Sequence, residues 1–343
     1  MNPRSPRKPR STRVARATTT PVPALGRAPL LFVALVAALC VAAAVTYRIY
    51  DPDLWQHLVV GRVLWQSHAI PATQVWTWPD AGAPYVLPSW LFRAALWPFW
   101  AAGEVTGLYA WRWLTALATF GLLGFAARRM GARGLAVCFA LVWCALVYRQ
   151  RSQMRPETLA AVLMAAQILL LEARRNGGRD RSWAIVAIAG VWANVHVSYY
   201  LGLVLTGFYL VDDLWRGRRE ARRSTLAWVL ALSVVASFLN PFGWRILAQP
   251  FEYVFVWRKE PIVKAIDELS PIPWAMNLRN GLPALLFLAA ALAVRRWRRR
   301  GLDVAELLVL GSFSAQALVS QRFLGYLAVA AAPFFARDLD DWL

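Results

Sequence analysis

Apolar residues in this chain fall into long runs separated by short, arginine-rich bursts. The first run, 29–48, carries no charge between Pro29 and Tyr47. It approaches the roughly 20 residues that a helix needs to cross the hydrocarbon core of a bilayer. Further runs follow at 107–127, 135–149, 157–173, 182–196, 199–215, 225–239, 281–294, 302–319 and 323–336. Ten spans are therefore predicted, which returns the C-terminus to the side of the N-terminus. The segment 87–102 is different, being Trp-rich, short, and interrupted by Arg93 and Pro98. It is predicted to lie in the outer interface with Trp90, Trp97 and Trp100 at headgroup level. The expected fold class is an all-α polytopic membrane protein of about ten transmembrane helices, with interfacial helices in the first outer loop.

Charge fixes the expected orientation. With the N-terminus in the cytoplasm, the inner segments hold 25 Lys or Arg and the outer segments 11, as the positive-inside rule requires. A crossing at 87–102 would invert every later arginine cluster. Residues 1–28, rich in Arg, Pro, Ser and Thr and free of acids, read as a disordered basic cytoplasmic tail. A signal peptide is the alternative, but the apolar run is longer than a signal h-region. Residues 29–343 then form a single transmembrane domain with long outer loops at 49–106 and 240–280.

Composition agrees. Of 343 residues, 59% are hydrophobic and only 17% charged, too few polar groups to cover a soluble core of this size. The net charge of +19 sits in the bursts between spans, so nucleic acid is not an expected partner. Cys40, Cys138 and Cys144 all lie in apolar runs and show no disulfide or metal-type spacing. There is no phosphate-binding glycine loop, His-Glu-x-x-His or Gly-x-Ser-x-Gly, which argues against ATP hydrolysis and zinc proteolysis.

Candidate chemistry clusters in the outer segments. Asp51-Pro52-Asp53 follows the first span directly. Two carboxylates at a membrane boundary suit a base or a cation site. Asp53 with Gln56 also resembles a helix-capping pair. Asp53, His57 and Gly61 recur every fourth residue and share a helix face that would border a polar cleft. Arg149, Arg151 and Arg155, followed by Pro156 and Glu157, form the one outer loop that breaks the charge trend. Guanidinium forks match phosphate oxygens, although headgroup snorkelling and an ordinary helix start account for the same residues. Asn194 and His196 stand in an otherwise apolar run, lining a cavity or bonding between helices. Arg322 occupies the last outer turn. The loop 240–280, with Trp257, Arg258, Lys259, Glu260, Asp267, Glu268 and Trp274, reads as an interfacial helix or a lid over a substrate.

The order of first span, acidic pair, interfacial helix with Gly61 and Ile70-Pro71, aromatic loop ending Pro84-Tyr85, Pro88-Ser89-Trp90-Leu91 and then Tyr109-Ala110-Trp111-Arg112 resembles the GT-C superfamily of integral-membrane glycosyltransferases. It is most similar to the branch of protein O-mannosyltransferases and the lipid A aminoarabinose transferase, over roughly residues 30–215. The resemblance implies a sugar donor carried on polyprenyl phosphate, a cleft on the outer leaflet of a bacterial inner membrane, and Asp53 or Asp51 as catalytic base. This chain departs from the branch in having no basic residue at Gly82-Ala83-Pro84 and no soluble C-terminal domain.

The expected activity is transfer of a sugar from that donor to a glycan, lipid or protein acceptor. Asp53 and Asp51 are the expected catalytic residues. His57, Arg149, Arg151, Arg155, Glu157, Asn194, His196 and Arg322 are expected to bind substrate. A monophosphate leaving group needs no obligatory metal, while a pyrophosphate donor would make a divalent ion at Asp-x-Asp possible. The rival expectations are a transporter or flippase for a lipid-linked or anionic substrate, which calls for polar residues at mid-membrane, and a non-catalytic protein of envelope-polysaccharide assembly.

Overall fold

A computed structural model describes residues 27–76, 78, 80–217 and 220–343; the expected basic tail falls almost wholly outside these. Among the described residues the regular structure is helical, with one isolated antiparallel bridge between Thr73 and Pro84. In chain order the helices are α1 (Arg27–Val45), α2 (Leu54–Ser67), α3 (Trp90–Arg129), α4 (Leu135–Tyr148), α5 (Pro156–Arg175), α6 (Ala184–Val195) and α7 (Tyr199–Trp215). They continue as α8 (Glu220–Ser237), α9 (Trp244–Phe255), α10 (Pro261–Lys264), α11 (Trp274–Asn277), α12 (Leu282–Arg300), α13 (Val304–Val319) and α14 (Leu324–Trp342). A helix occupies the place of each predicted span. By length and composition, Ala28–Val45, Leu135–Ser152 and Pro156–Arg175 are able to cross a membrane, while Ala184–Val195, Thr225–Ser237 and Val304–Val319 are apolar but shorter.

The core forms around α14. Every residue from Leu324 to Leu339 is buried, because α3, α4, α5, α12 and α13 surround it. Its first thirteen residues, Leu324 to Ala336, carry no charge, and a helix segment apolar on all sides belongs in such a position. At the periphery, α1 turns Leu31, Phe32, Leu35 and Leu39 outward at 59–69% exposure. An apolar surface of this kind suits hydrocarbon rather than water.

The 40 residues of α3 are not one rod. At Gly103 and Glu104 the backbone leaves the helical region, with Glu104 at φ +46°. The chain then doubles back so closely that a Cβ on Gly107 would collide with the Phe99 carbonyl. Trp111 receives the edges of Phe92 and Phe99 at ring-centroid separations of 5.7 and 5.2 Å. The Trp-rich segment 90–102 is thus a helix of its own folded against the next. Trp90 is not free for a headgroup, since its indole N–H donates to Asn194 Oδ1 at 2.8 Å. Gly61 does not border a cleft either. A Cβ there would lie 2.5 Å from the Arg93 carbonyl oxygen and 3.0 Å from Trp97 Cβ, so the bare backbone lets α2 seat on α3.

Charges collect at both ends of the bundle. At the end away from α2, Arg174 bonds Asp213 at 2.6 Å and Asp180 at 3.1 Å. Arg175 bonds Asp212 at 3.0 Å and Asp303 at 2.5 Å. Arg337 joins Asp303, Glu306 and Asp338 at 3.0, 2.5 and 2.7 Å. The sequence favours these ends locally, because Arg174 and Arg175 close α5 and Asp303 caps α13 by accepting the Glu306 N–H at 3.0 Å. Removing one buried partner strands the others' charge at a cost of about 3–5 kcal/mol. Arg337→Met is therefore expected to lower stability by about that amount in chemical unfolding of the detergent-solubilised protein. Arg300→Gln, which breaks an exposed pair with Asp341, is expected to cost under about 1 kcal/mol.

Candidate active site at one end of the bundle

At the other end, segments distant in sequence converge on Arg155. This residue ends the link between α4 and α5 in extended backbone, φ −116° and ψ 157°, just before Pro156 opens α5. A residue preceding proline is confined to that region, which projects the guanidinium away from the helix. It donates to Asp51 from two nitrogens, Nε to Oδ2 at 2.7 Å and Nη2 to Oδ1 at 2.9 Å. Asp53 lies 3.4 Å from Nη2, and Nη1 donates to Glu268 Oε1. Burial opposes the charge of Arg155, but the hydrogen bonds and charge of Asp51 outweigh it and raise the pKa.

The two aspartates play different parts. Asp51 is buried, its side chain without exposed surface, and its Oδ1 accepts the Asp53 N–H at 3.1 Å. Asp53 precedes α2 with already helical angles, φ −73° and ψ −15°, and its side chain makes no capping bond. A cap needs an extended backbone to turn its oxygen onto the first N–H groups. The expected Asp53–Gln56 cap is therefore absent, Asp51 orders the turn, and the Asp53 carboxylate is left 57% exposed.

A cavity of about 430 Å³ lies beside these groups. Asp51, Arg151, Arg155 and Glu157 line one side, and Asp267, Glu268 and Ser270 of the long loop line the other. The loop is fastened over it. The Gln321 N–H donates to the Ser270 carbonyl at 2.8 Å, the Gln321 amide to the Asp267 carbonyl at 2.5 Å, and Ser320 Oγ to the Glu268 carbonyl at 3.1 Å. Glu268 also accepts from Arg151 at 3.2 Å. Gly325 permits this closeness, as a Cβ there would sit 2.9 Å from the Arg151 side chain.

Next to the cavity, Arg322 donates to Glu157 Oε1 at 3.1 Å. His196 Nε2 stands 3.6 Å from the same oxygen. Because the Ser198 N–H donates to His196 Nδ1 at 3.1 Å, Nδ1 is an acceptor and the neutral ring carries its proton on Nε2, facing Glu157. Ser198 Oγ lies 2.7 Å from Nδ1 and 2.8 Å from the Tyr326 hydroxyl, completing a polar chain into α14.

Asp51, Asp53, Arg151, Arg155, Glu157, His196 and Arg322 are thus brought together. Three expected members are not. Arg149 stacks over the Tyr47 ring at 5.0 Å while its carbonyl accepts the Tyr47 hydroxyl at 2.7 Å, tying the link after α4 to the exit of α1. Asn194 is engaged between helices, its Nδ2 donating to the Gly190 and Leu239 carbonyls at 2.8 Å each and its Oδ1 accepting from Trp90. It borders a separate apolar groove with Trp183 and Leu232. His57 packs behind Asp51 with its ring edge-on to Phe92, centroids 5.2 Å apart, and its Nδ1 has no partner.

Gln153 is a site residue that the sequence did not single out. It lines the cavity at 4% exposure, and its Oε1 accepts from Arg112 at 2.9 Å. Arg112 lies 4.5 Å over the Tyr47 ring. A guanidinium only donates, so the Gln153 oxygen must face it and the amide nitrogen must face away. That nitrogen has no partner. Gln153 sits inside the Arg149–Glu157 segment, but as a neutral residue among arginines it carried no signal. Among the described residues no three His, Cys, Asp or Glu side chains gather as a metal site, and the Arg155 guanidinium bridges Asp51 and Asp53.

No protein-family model matches this chain, and no curated protein matches it.

Burial, with the charge of Arg93 adding to it, lowers the His57 pKa from 6.5 to about 4 despite the opposing pull of Asp51. The fold therefore favours the neutral ring. Its contribution to stability is complete above about pH 6.5 and is lost as the pH falls toward 4, at up to about 1.4 kcal/mol per pH unit. In thermal unfolding at pH 7 and pH 5, the native chain is expected to lose more stability than His57→Gln. Equal losses would show that His57 does not titrate in this window.

Proposed function

We propose that this chain is an integral-membrane glycosyltransferase of the GT-C type, with ten spans and a cytoplasmic N-terminus in a bacterial inner membrane. It would move a sugar from a polyprenyl-phosphate donor to an acceptor hydroxyl at the outer face. The reading rests chiefly on one arrangement, the Asp51–Arg155 pair lining a lidded cavity, with a second, accessible carboxylate on Asp53 that contacts Arg155 from outside the cavity lining. That arrangement offers a base and an anion-stabilising group within one site, as glycosyl transfer from a phosphate requires.

In the proposed reaction Asp53 takes the proton of the acceptor hydroxyl as its oxygen attacks the anomeric carbon. The bond between that carbon and the phosphate oxygen breaks, and the electron pair leaves with the phosphate. Arg155 and Arg151 meet the charge that develops there, and Asp51 holds Arg155 in place. The Gln153 amide N–H is available to a sugar or phosphate oxygen. Arg322, Glu157 and His196 form the wall next to this centre. No step passes through a metal ion.

Reconstituted protein supplied with a panel of polyprenyl-phosphate sugars provides the test. The native chain is expected to release polyprenyl phosphate. Asp53→Asn is expected to lower kcat by about 10²–10⁴-fold at unchanged thermal stability. Asp51→Asn, by loosening Arg155, is expected to raise the donor KM and lower the unfolding temperature. Donor lipid that crosses the bilayer without losing its sugar would replace the enzyme reading with the transporter.

A further inference from the structure

The closed site has an unfavourable charge for the substrate proposed above. Four carboxylates, Asp51, Asp53, Glu157 and Glu268, pair with three guanidiniums, Arg151, Arg155 and Arg322. A phosphate entering this assembly would bring more negative charge to a centre already short of cations. One carboxylate has to leave, and the four differ in how firmly they are built in.

Asp51 is buried and forms both the bidentate pair and the turn before α2. Glu157 is buried in the first turn of α5. Asp53 touches Arg155 only at 3.4 Å and blocks none of its shorter bonds. Glu268 is 28% exposed and stands on a single 3-10 turn, Asp267–Leu269, within the long loop. Its two oxygens are divided between two guanidiniums, Oε1 on Arg155 and Oε2 on Arg151. Two acceptor oxygens set against two forks are also what a phosphate presents. The cavity below this contact holds the unpartnered amide nitrogen of Gln153 on a side chain that is 4% exposed. Such a buried donor is costly to leave unmade, and it points to a ligand with oxygen acceptors.

We propose that Glu268 is a resident place-holder in an anion subsite formed by Arg151 and Arg155, and that an incoming phosphate group displaces it and lifts the 267–269 turn. The inference rests on the glycosyltransferase reading for the identity of the phosphate, but the displacement itself is independent of sugar transfer. Deletion of the competing carboxylate makes the forks available without a displacement step, so phosphate binds more tightly.

The test uses the full chain in nanodiscs, with inorganic phosphate and geranyl phosphate as probes and binding followed by ³¹P NMR titration. Glu268→Gln is expected to tighten binding about tenfold, the equivalent of one charge-assisted competitor removed. Glu260→Gln removes one charge from the same loop at an exposed position outside the cavity lining and is expected to change binding less than twofold. Hydrogen exchange of residues 266–271 in the native chain is expected to rise when the probe binds. Tightening with both probes supports a subsite for the phosphate group itself, and tightening with geranyl phosphate alone supports a lipid-headgroup subsite. Equal effects of the two substitutions reduce Glu268 to general electrostatics and overturn the proposal, as does unchanged exchange in the lid. Phosphate binding that follows this pattern in a protein without sugar transfer would sink the enzyme reading and leave the subsite. Sugar transfer with a Glu268→Gln variant that binds no better would do the reverse.

Discussion

The arrangement at the site end depends on one guanidinium. Arg155 faces carboxylates from the turn before α2 and from the long loop between α9 and α12. Without a cation between them these acids would repel one another, and the more strongly the less water reaches them. The bidentate bond to Asp51 fixes the plane of the guanidinium, and that plane decides where its other nitrogens point. Proline at 156 restricts the backbone that carries it. The geometry of the cavity wall thus descends from an Arg-Pro dipeptide and one buried aspartate.

The two ends of the bundle use similar residues for different ends. Around Arg174, Arg175 and Arg337, each guanidinium bonds two or more carboxylates, and α5, α7, α13 and α14 are stitched together. Ion pairs of this kind satisfy charges that are buried among the helices. Around Arg155 the guanidinium is also fully engaged, but its surroundings differ. A cavity adjoins it, Asp53 is largely exposed, and the Gln153 nitrogen is unbonded. Unbonded or exposed groups next to a cavity are available to a ligand, whereas the ion pairs at the other end fasten helices, although Glu306 Oε1 there also has no partner.

Much of this was legible in the chain because apolar runs mark helices and arginine bursts mark their ends. The helices fall where those runs do, and Arg155, Glu157, Asp51, Asp53 and Arg322 stood out as charges at the ends of runs. What local pattern does not carry is long-range pairing. Arg149 and Arg155 share one arginine-rich link, and although Pro156 sets the backbone of Arg155, no local pattern says that one stacks on Tyr47 and the other meets Asp51. Asn194 reads as available from its local sequence because two of its partners, Trp90 and the Leu239 carbonyl, lie 104 and 45 residues away. The period-four face of Asp53, His57 and Gly61 is present on α2, but His57 and Gly61 turn toward α3, where they pack on Phe92 and on the Arg93 backbone. Periodicity gives a shared face and not what the face meets. Gln153 carries no local signal because its meaning comes wholly from Arg112, which fixes which end of the amide is left over.

The division between the aspartates bears on the proposed chemistry. A general base has to hold a lone pair toward the acceptor and then hand the proton on. Asp51 is suited to neither, since both its oxygens accept from Arg155 and the carboxylate has no exposed surface. Protonating it would also release Arg155 just when charge builds on the departing phosphate. Asp53 has an exposed carboxylate with one long contact to Arg155, so it can gain a proton and pass it to water while the Asp51–Arg155 pair stays intact. Two acids separated by a single proline thereby avoid competing for one role. The proline keeps the turn tight enough for both to face the same guanidinium, and the buried acid keeps that guanidinium still for the exposed one.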